Sequence, residues 1–198
     1  VIAYTDVQPD LTPHGSGIVG TVSGTTISFG TEVKFNGTTY TGDHPSVSTL
    51  DSTHVVIVYN DGNATGSSVV GTISGTTISY GTEATFNSSY PIGPAISTLD
   101  STHVVVVYSD GGDSSKGNSV VGTVSGTTIS FGTEATFNSA STSTPSISTL
   151  DSTHVMVVYK DVGASNIGNS IVGTISGTTI SYGSEVTFNN ATTTEPFV

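Results

Sequence analysis

Ser125-Gly-Thr-Thr-Ile-Ser130 is one of four copies of a single phrase, the others starting at Ser23, Ser74 and Ser176, so a unit of about fifty residues is written four times. Working outward from it, Val120-Val-Gly-Thr-Val-Ser125 leads in and Phe131-Gly-Thr-Glu-Ala-Thr-Phe-Asn138 follows. Further upstream each complete unit carries a turn-like segment, as in Ser97-Thr-Leu-Asp-Ser-Thr-His103, and then the apolar run Val104-Val-Val-Val-Tyr108. Only the loops between these blocks differ much. A reacting centre needs different groups in different roles, and here nearly every polar residue of note belongs to the repeat.

The apolar runs Val55-Val-Ile-Val-Tyr59, Val104-Val-Val-Val-Tyr108 and Val155-Met-Val-Val-Tyr159 read as strands covered on both faces. A buried helix would need twice the length, and Asp-Gly or Asp-Val-Gly soon ends each run. In Ile27-Ser-Phe29-Gly-Thr-Glu-Val33-Lys-Phe35 the apolar residues fall at every second position, which predicts one strand with a wet face. Glu32, Glu83, Glu134 and Glu185 are then expected to point to solvent from the rim. Ser23-Gly24-Thr25 joins that strand to Ile18-Val-Gly-Thr-Val22, with glycine admitting the positive φ of a tight hairpin. Glycine inside that third strand, at Gly20, Gly71, Gly122 and Gly173, predicts a bulge or the close approach of a neighbouring unit. A short fourth strand is Pro145-Ser-Ile-Ser-Thr-Leu150, its proline standing where a missing donor does no harm.

Four antiparallel strands repeated without any helical pattern predict an all-β chain: a β-propeller of four four-stranded blades, or a four-blade section of a larger repeat array, with a β-solenoid as the alternative. The expected units are about 1–44, 45–93, 94–144 and 145–194 in one repeat domain spanning 1–198, with 195–198 the start of a further inner strand. The unit resembles the β-propeller repeats of bacterial and archaeal surface proteins. It is more loosely similar to integrin-type blades, where a short inner strand ends in an Asp-bearing turn like Leu50-Asp51-Ser52-Thr53-His54. The resemblance covers the whole chain and implies a propeller fold at a cell surface. Calcium-binding integrin-type blades carry several alternating acidic residues in that turn, whereas this chain carries one, at Asp51, Asp100 and Asp151.

Three lysines, no arginine and fifteen acidic residues leave a net charge of −12, which repels phosphate backbones and anionic lipid, so neither nucleic-acid binding nor membrane insertion is expected. No apolar run approaches the roughly 20 residues of a membrane helix. The absence of cysteine excludes disulfides and thiolate metal sites. A third of the residues are Ser or Thr, and sequons at Asn36, Asn63, Asn87 and Asn190 point to glycosylation and to the outside of a cell.

Asp51, Asp100 and Asp151 are expected to cap their own turns, with His54, His103 and His154 hydrogen-bonded nearby. Asp61, Asp110 and Asp113, beside flexible glycines, are the candidate oxygen ligands for calcium, the one cofactor considered. Unrepeated His14, Asp43 and His44 are the candidates for an asymmetric loop site. No nucleophile motif, phosphate-cradling loop or zinc spacing occurs.

These readings predict a non-catalytic extracellular structural or adhesive protein whose partners are further copies of the repeat. A lectin-like module that reads glycans or proteins through Tyr40 and Tyr90 is the alternative, and an enzyme comes third. Aligning Val1-Ile-Ala-Tyr4 with Val56-Ile-Val-Tyr59 places the start of the chain inside a unit that lacks its inner strand, as in a processed or partial chain. Pro196-Phe197-Val198 matches the beginning of such a strand. Val1, Ile2, Pro196, Phe197 and Val198 are therefore the expected assembly residues, closing a ring within one chain or joining successive chains by strand addition.

Overall fold

A computed structural model describes residues 1–7, 13–36 and 43–198, which form β-strands and turns with no helix. The first unit contains β1 (Ile2–Val7), β2 (Pro13–Ile18), β3 (Gly20–Ser23), β4 (Thr26–Phe29) and β5 (Val33–Lys34). The second contains β6 (Asp43–Thr49), β7 (His54–Asn60), β8 (Gly66–Ser74), β9 (Thr77–Tyr80) and β10 (Ala84–Asn87). The third contains β11 (Pro91–Thr98), β12 (His103–Asp110), β13 (Lys116–Ser125) and β14 (Thr128–Phe131), and β15 (Ala135–Thr149) runs on from it into the fourth. The fourth adds β16 (His154–Asp161), β17 (Ile167–Ser176), β18 (Thr179–Tyr182) and β19 (Val186–Asn189).

All strand pairs are antiparallel, and the second unit shows the pattern most simply: β6 pairs β7, β7 pairs β8, and both β9 and β10 pair the far edge of β8. The single alternating strand read from the sequence is in fact two. The strand ladder ends at Tyr80, with a last bond from Gly81 N–H to Val70 O at 2.9 Å, skips Thr82 and Glu83, and resumes at Ala84. Side-chain alternation persists across the break, so hydropathy alone could not reveal it. The hairpin turns match their reading, with Gly24, Gly75, Gly126 and Gly177 at φ near +60°.

The core lies between units rather than within one. A five-residue apolar strand alternates sides, and each side meets a different neighbour. Val104, Val106 and Tyr108 of β12 join Val56, Val58, Val70 and Phe86 of the second unit. Val105 and Val107 join Phe137, Val155, Val157 and Tyr159 on the other side. All five residues from 104 to 108 are wholly buried, as expected of a strand sandwiched between two sheets.

Each junction repeats the same aromatic contact. Phe35 packs on Tyr59 and Tyr80, Phe86 on Tyr108 and Phe131, and Phe137 on Tyr159 and Tyr182, with ring centroids 4.9 to 6.0 Å apart. The inner strands touch as well, through Ser48 with Thr98 and Ser97 with Thr149, both at 2.8 Å. The close approach read at Gly122 lies elsewhere. A methyl group there would meet Ile129 and Val104 of the same unit, whereas one on Gly30, Gly81 or Gly132 would lie within 2.0 Å of the carbonyl oxygen of Thr76, Thr127 or Thr178 in the next unit.

Candidate functional site

The Asp-bearing turns sit between inner and apolar strands. Asp51 Oδ1 accepts from the backbone N–H of Thr53 at 2.6 Å and of His54 at 2.8 Å, and from the Thr53 hydroxyl at 2.9 Å. His54 Nδ1 stands 2.9 Å from Asp51 Oδ2. The same arrangement recurs at Asp100 with His103 and at Asp151 with His154. Hydrogen bonds from the Thr53 and Thr153 backbones, and then from the histidines, hold the Asp51 and Asp151 carboxyls down to about 2. At Asp100 partial burial opposes this, and the hydrogen bonds from Thr102 and His103 outweigh it, again leaving a value of about 2.

The folded chain therefore binds fewer protons than the unfolded chain between the ordinary value of 3.8 and about 2. Stability from these turns is fully present above the unfolded value and disappears as pH falls through the folded one. The urea midpoint should drop steeply over that window, and less steeply when Asp51, Asp100 and Asp151 are all changed to Asn. Parallel pH profiles for the two chains would rule out this role.

A second network was not legible in advance. Tyr59 O–H donates to Glu83 at 2.5 Å, and Ser67 Oγ donates to the other oxygen of that carboxylate at 3.2 Å. Tyr108 donates to Glu134 and Tyr159 to Glu185, with Asn118 Nδ2 and Asn169 Nδ2 bonded to the second oxygens at 2.9 and 2.6 Å. Tyr4, Ser16 and Glu32 repeat it in the first unit. Burial and the hydrogen bond to glutamate push the Tyr59, Tyr108 and Tyr159 phenols well above their ordinary value. Tyr4 is raised to about 12, chiefly by its bond to Glu32. The four glutamates are exposed, as expected of rim residues, yet each ties a tyrosine of the apolar strand to the strand beside it. The available signal was a Tyr ending the apolar strand and a Glu about twenty-five residues later in every unit.

The calcium candidates are engaged locally. Asp61 Oδ1 accepts from the N–H groups of Asn63 and Thr65 at 2.8 and 3.1 Å. Asp110 is buried and accepts from Gly112 N, Asp113 N and Asn87 Nδ2, while Asp113 Oδ2 lies 2.8 Å from Lys116 Nζ. Among the described residues no group of three or more His, Asp or Glu stands close enough to hold a metal ion.

His14, on β2, is in register with Asp6 on β1. Asp43 and His44 pair with each other at 3.2 Å on an exposed part of β6. His44, with φ 51°, occupies the place before proline that Gly93 and Thr144 fill with φ 56° and 46°, so its backbone conformation repeats while its imidazole does not. Of the sequon residues, Asn63 and Asn190 are exposed, whereas Asn36 and Asn87 are buried and the Asn87 amide bonds to Asp110 and Glu134. Tyr90 is exposed, and Tyr40 lies outside the described residues.

Among the described residues, the first and last units expose apolar side chains whose equivalents in other units are buried. Ile2, Val22, Ile27 and Phe29 are uncovered on the first unit, although Ile78, Ile129 and Ile180, the equivalents of Ile27, are buried. Val172, Val186 and Phe188 are uncovered on the last unit, although Phe35, Phe86 and Phe137, the equivalents of Phe188, are buried. Of the assembly candidates, Val1 packs against Val19, Val55 and Ile78. Ile2 is 49% exposed and Phe197 91%. Val198 N donates to Ser146 Oγ at 3.3 Å, so the carboxyl-terminal segment lies along the inner strand of the fourth unit. Among the described residues, Ile27 and Phe29 of the first unit and Phe188 of the last are left uncovered. Compared with known protein families and with curated proteins, the chain matches none.

Proposed function

We propose that this chain is a non-catalytic structural or adhesive repeat module of an extracellular surface, and that its units are propeller-type blades forming a section of a larger array. One observation carries the reading: the polar residues that recur in the units are committed to holding the scaffold. Asp51, Asp100 and Asp151 close turns, Glu83, Glu134 and Glu185 hold tyrosines, and Asp61 and Asp110 organise their own loops. Groups fixed in this way by backbone N–H and phenol donors are poorly placed to change partners during a reaction. The Ser/Thr-rich surface, the exposed sequons at Asn63 and Asn190 and the net charge of −12 support a soluble surface outside the cell. Antibody labelling of intact producing cells tests the location. Label on unpermeabilised cells or the material around them is expected, and label only after permeabilisation would contradict it.

A further inference from the structure

We propose that Asn63 is the acceptor of an N-linked glycan on the folded chain, and that Asn87, in a sequon of the same form, is not. The inference deepens the extracellular reading above and rests on it, since such glycans belong to surface loops of secreted chains.

The loop between β7 and β8 holds Asn63 at its tip. Asp61 N–H donates to Thr65 O at 2.9 Å and closes the loop, while Asp61 Oδ1 accepts from the N–H groups of Asn63 and Thr65 at 2.8 and 3.1 Å. Gly62 and Ala64, on either side of Asn63, take φ of 78° and 64°. Tyr90 N–H donates to Ala64 O at 2.7 Å and fastens the loop to the linker that leads into the third unit. The second unit has a packed neighbour on both faces, yet residues 62 to 64 are all exposed. Among the described residues, neither the Asn63 side-chain amide nor the Thr65 hydroxyl is engaged in a hydrogen bond.

Asn87 has the opposite surroundings. Its Oδ1 accepts from Ser89 N–H at 2.6 Å, and its Nδ2 donates to Asp110 Oδ2 at 3.1 Å and to Glu134 Oε2 at 3.3 Å. Asn138 and Asn189 stand at the same place in the next two units and use their amides similarly: each Oδ1 accepts from the N–H two residues on, and each Nδ2 donates to a threonine hydroxyl. Neither lies in a sequon, so hydrogen bonding alone accounts for asparagine at this place. Glycosyl transfer forms a bond from the amide nitrogen to the anomeric carbon of a sugar activated as a diphosphate. The bond from that carbon to the diphosphate breaks, the diphosphate leaves with the electron pair, and one amide proton passes to a base of the transferase. At Asn63 the amide gives up no hydrogen bond within the chain. At Asn87 it must first leave two carboxylates and a buried site, which lowers the reactive population by about tenfold or more.

The test presents the folded chain, made without glycans, to a purified oligosaccharyltransferase and its diphosphate-linked sugar donor, and maps the products by mass spectrometry. Free peptides spanning 60–66 and 84–91 give the intrinsic ratio of transfer to the two sequons. In the folded chain the preference for Asn63 over Asn87 is expected to exceed the peptide ratio by about tenfold or more. Thr65→Ala, which leaves Asn63 in place, should abolish transfer there, and Asn63→Gln should leave the Tm nearly unchanged. An unmodified Asn63 in the folded chain, a folded-chain ratio equal to that of the peptides, or transfer persisting in Thr65→Ala would overturn the proposal. Surface labelling reads location, whereas this experiment reads the purified chain, so the inference and the function it rests on can fail separately.

Discussion

Truncating Phe137 to alanine is expected to lower the free energy of unfolding by about 3–5 kcal/mol, the range for deleting a buried phenylalanine with little collapse around the gap. Phe137 is buried between the third and fourth units and touches two rings, Tyr159 at 5.1 Å and Tyr182 at 5.9 Å. The same truncation at Phe188 should cost only about 1 kcal/mol, since half of that side chain is already in water. The residue type and local sequence are nearly the same, so the difference isolates what a neighbouring unit contributes. Equilibrium urea unfolding of both variants measures it. Equal losses at the two positions would mean that stability resides within single units, contrary to the packing described here.

Gly132→Ala should be nearly as damaging, by about 1–3 kcal/mol or more, although it adds one methyl group. That methyl would lie 2.0 Å from the Thr178 carbonyl oxygen and 2.8 Å from the Thr178 Cβ, neither of which belongs to the end of a flexible side chain. The hairpin around Gly177 would have to move away, opening the contact between the third and fourth units. Gly183→Ala, at the equivalent place on the last unit, should leave thermal stability close to that of the unaltered chain. The two melting curves suffice as a test, and a large loss at Gly183 would show that the cost comes from the backbone of the unit and not from its neighbour.

The sequence carried the strands and turns more clearly than the connections between them. Five consecutive apolar residues such as Val104-Val-Val-Val-Tyr108, too few for a buried helix and soon ended by Asp-Gly, read as a strand covered on both faces, so that assignment followed from length and solvation together. Gly24 and its copies announced the hairpins because few residues but glycine reach φ near +60° without cost. The split between β9 and β10 left no trace in hydropathy. The role of Glu83, Glu134 and Glu185 was hidden for a related reason: an exposed carboxylate on a rim reads as solubility, and its tyrosine partner lies about twenty-five residues away across the sheet. The backbone equivalence of His44 with Gly93 and Thr144 was hidden because the three side chains are chemically different. The ends were partly legible, since aligning the units exposed the missing inner strand beside Ile2. Phe29 and Phe188 emerged as the uncovered rings only from the packing.

Native-state hydrogen exchange tests most directly the central claim, that stability lies between units. β12 is buried on both sides and packs on the second and fourth units. Its amides are predicted to exchange slowest, with the free energy of global unfolding, and Phe137→Ala is predicted to lower the protection of β12 and β16 together. Protection lost only in the unit that carries the substitution would contradict the account.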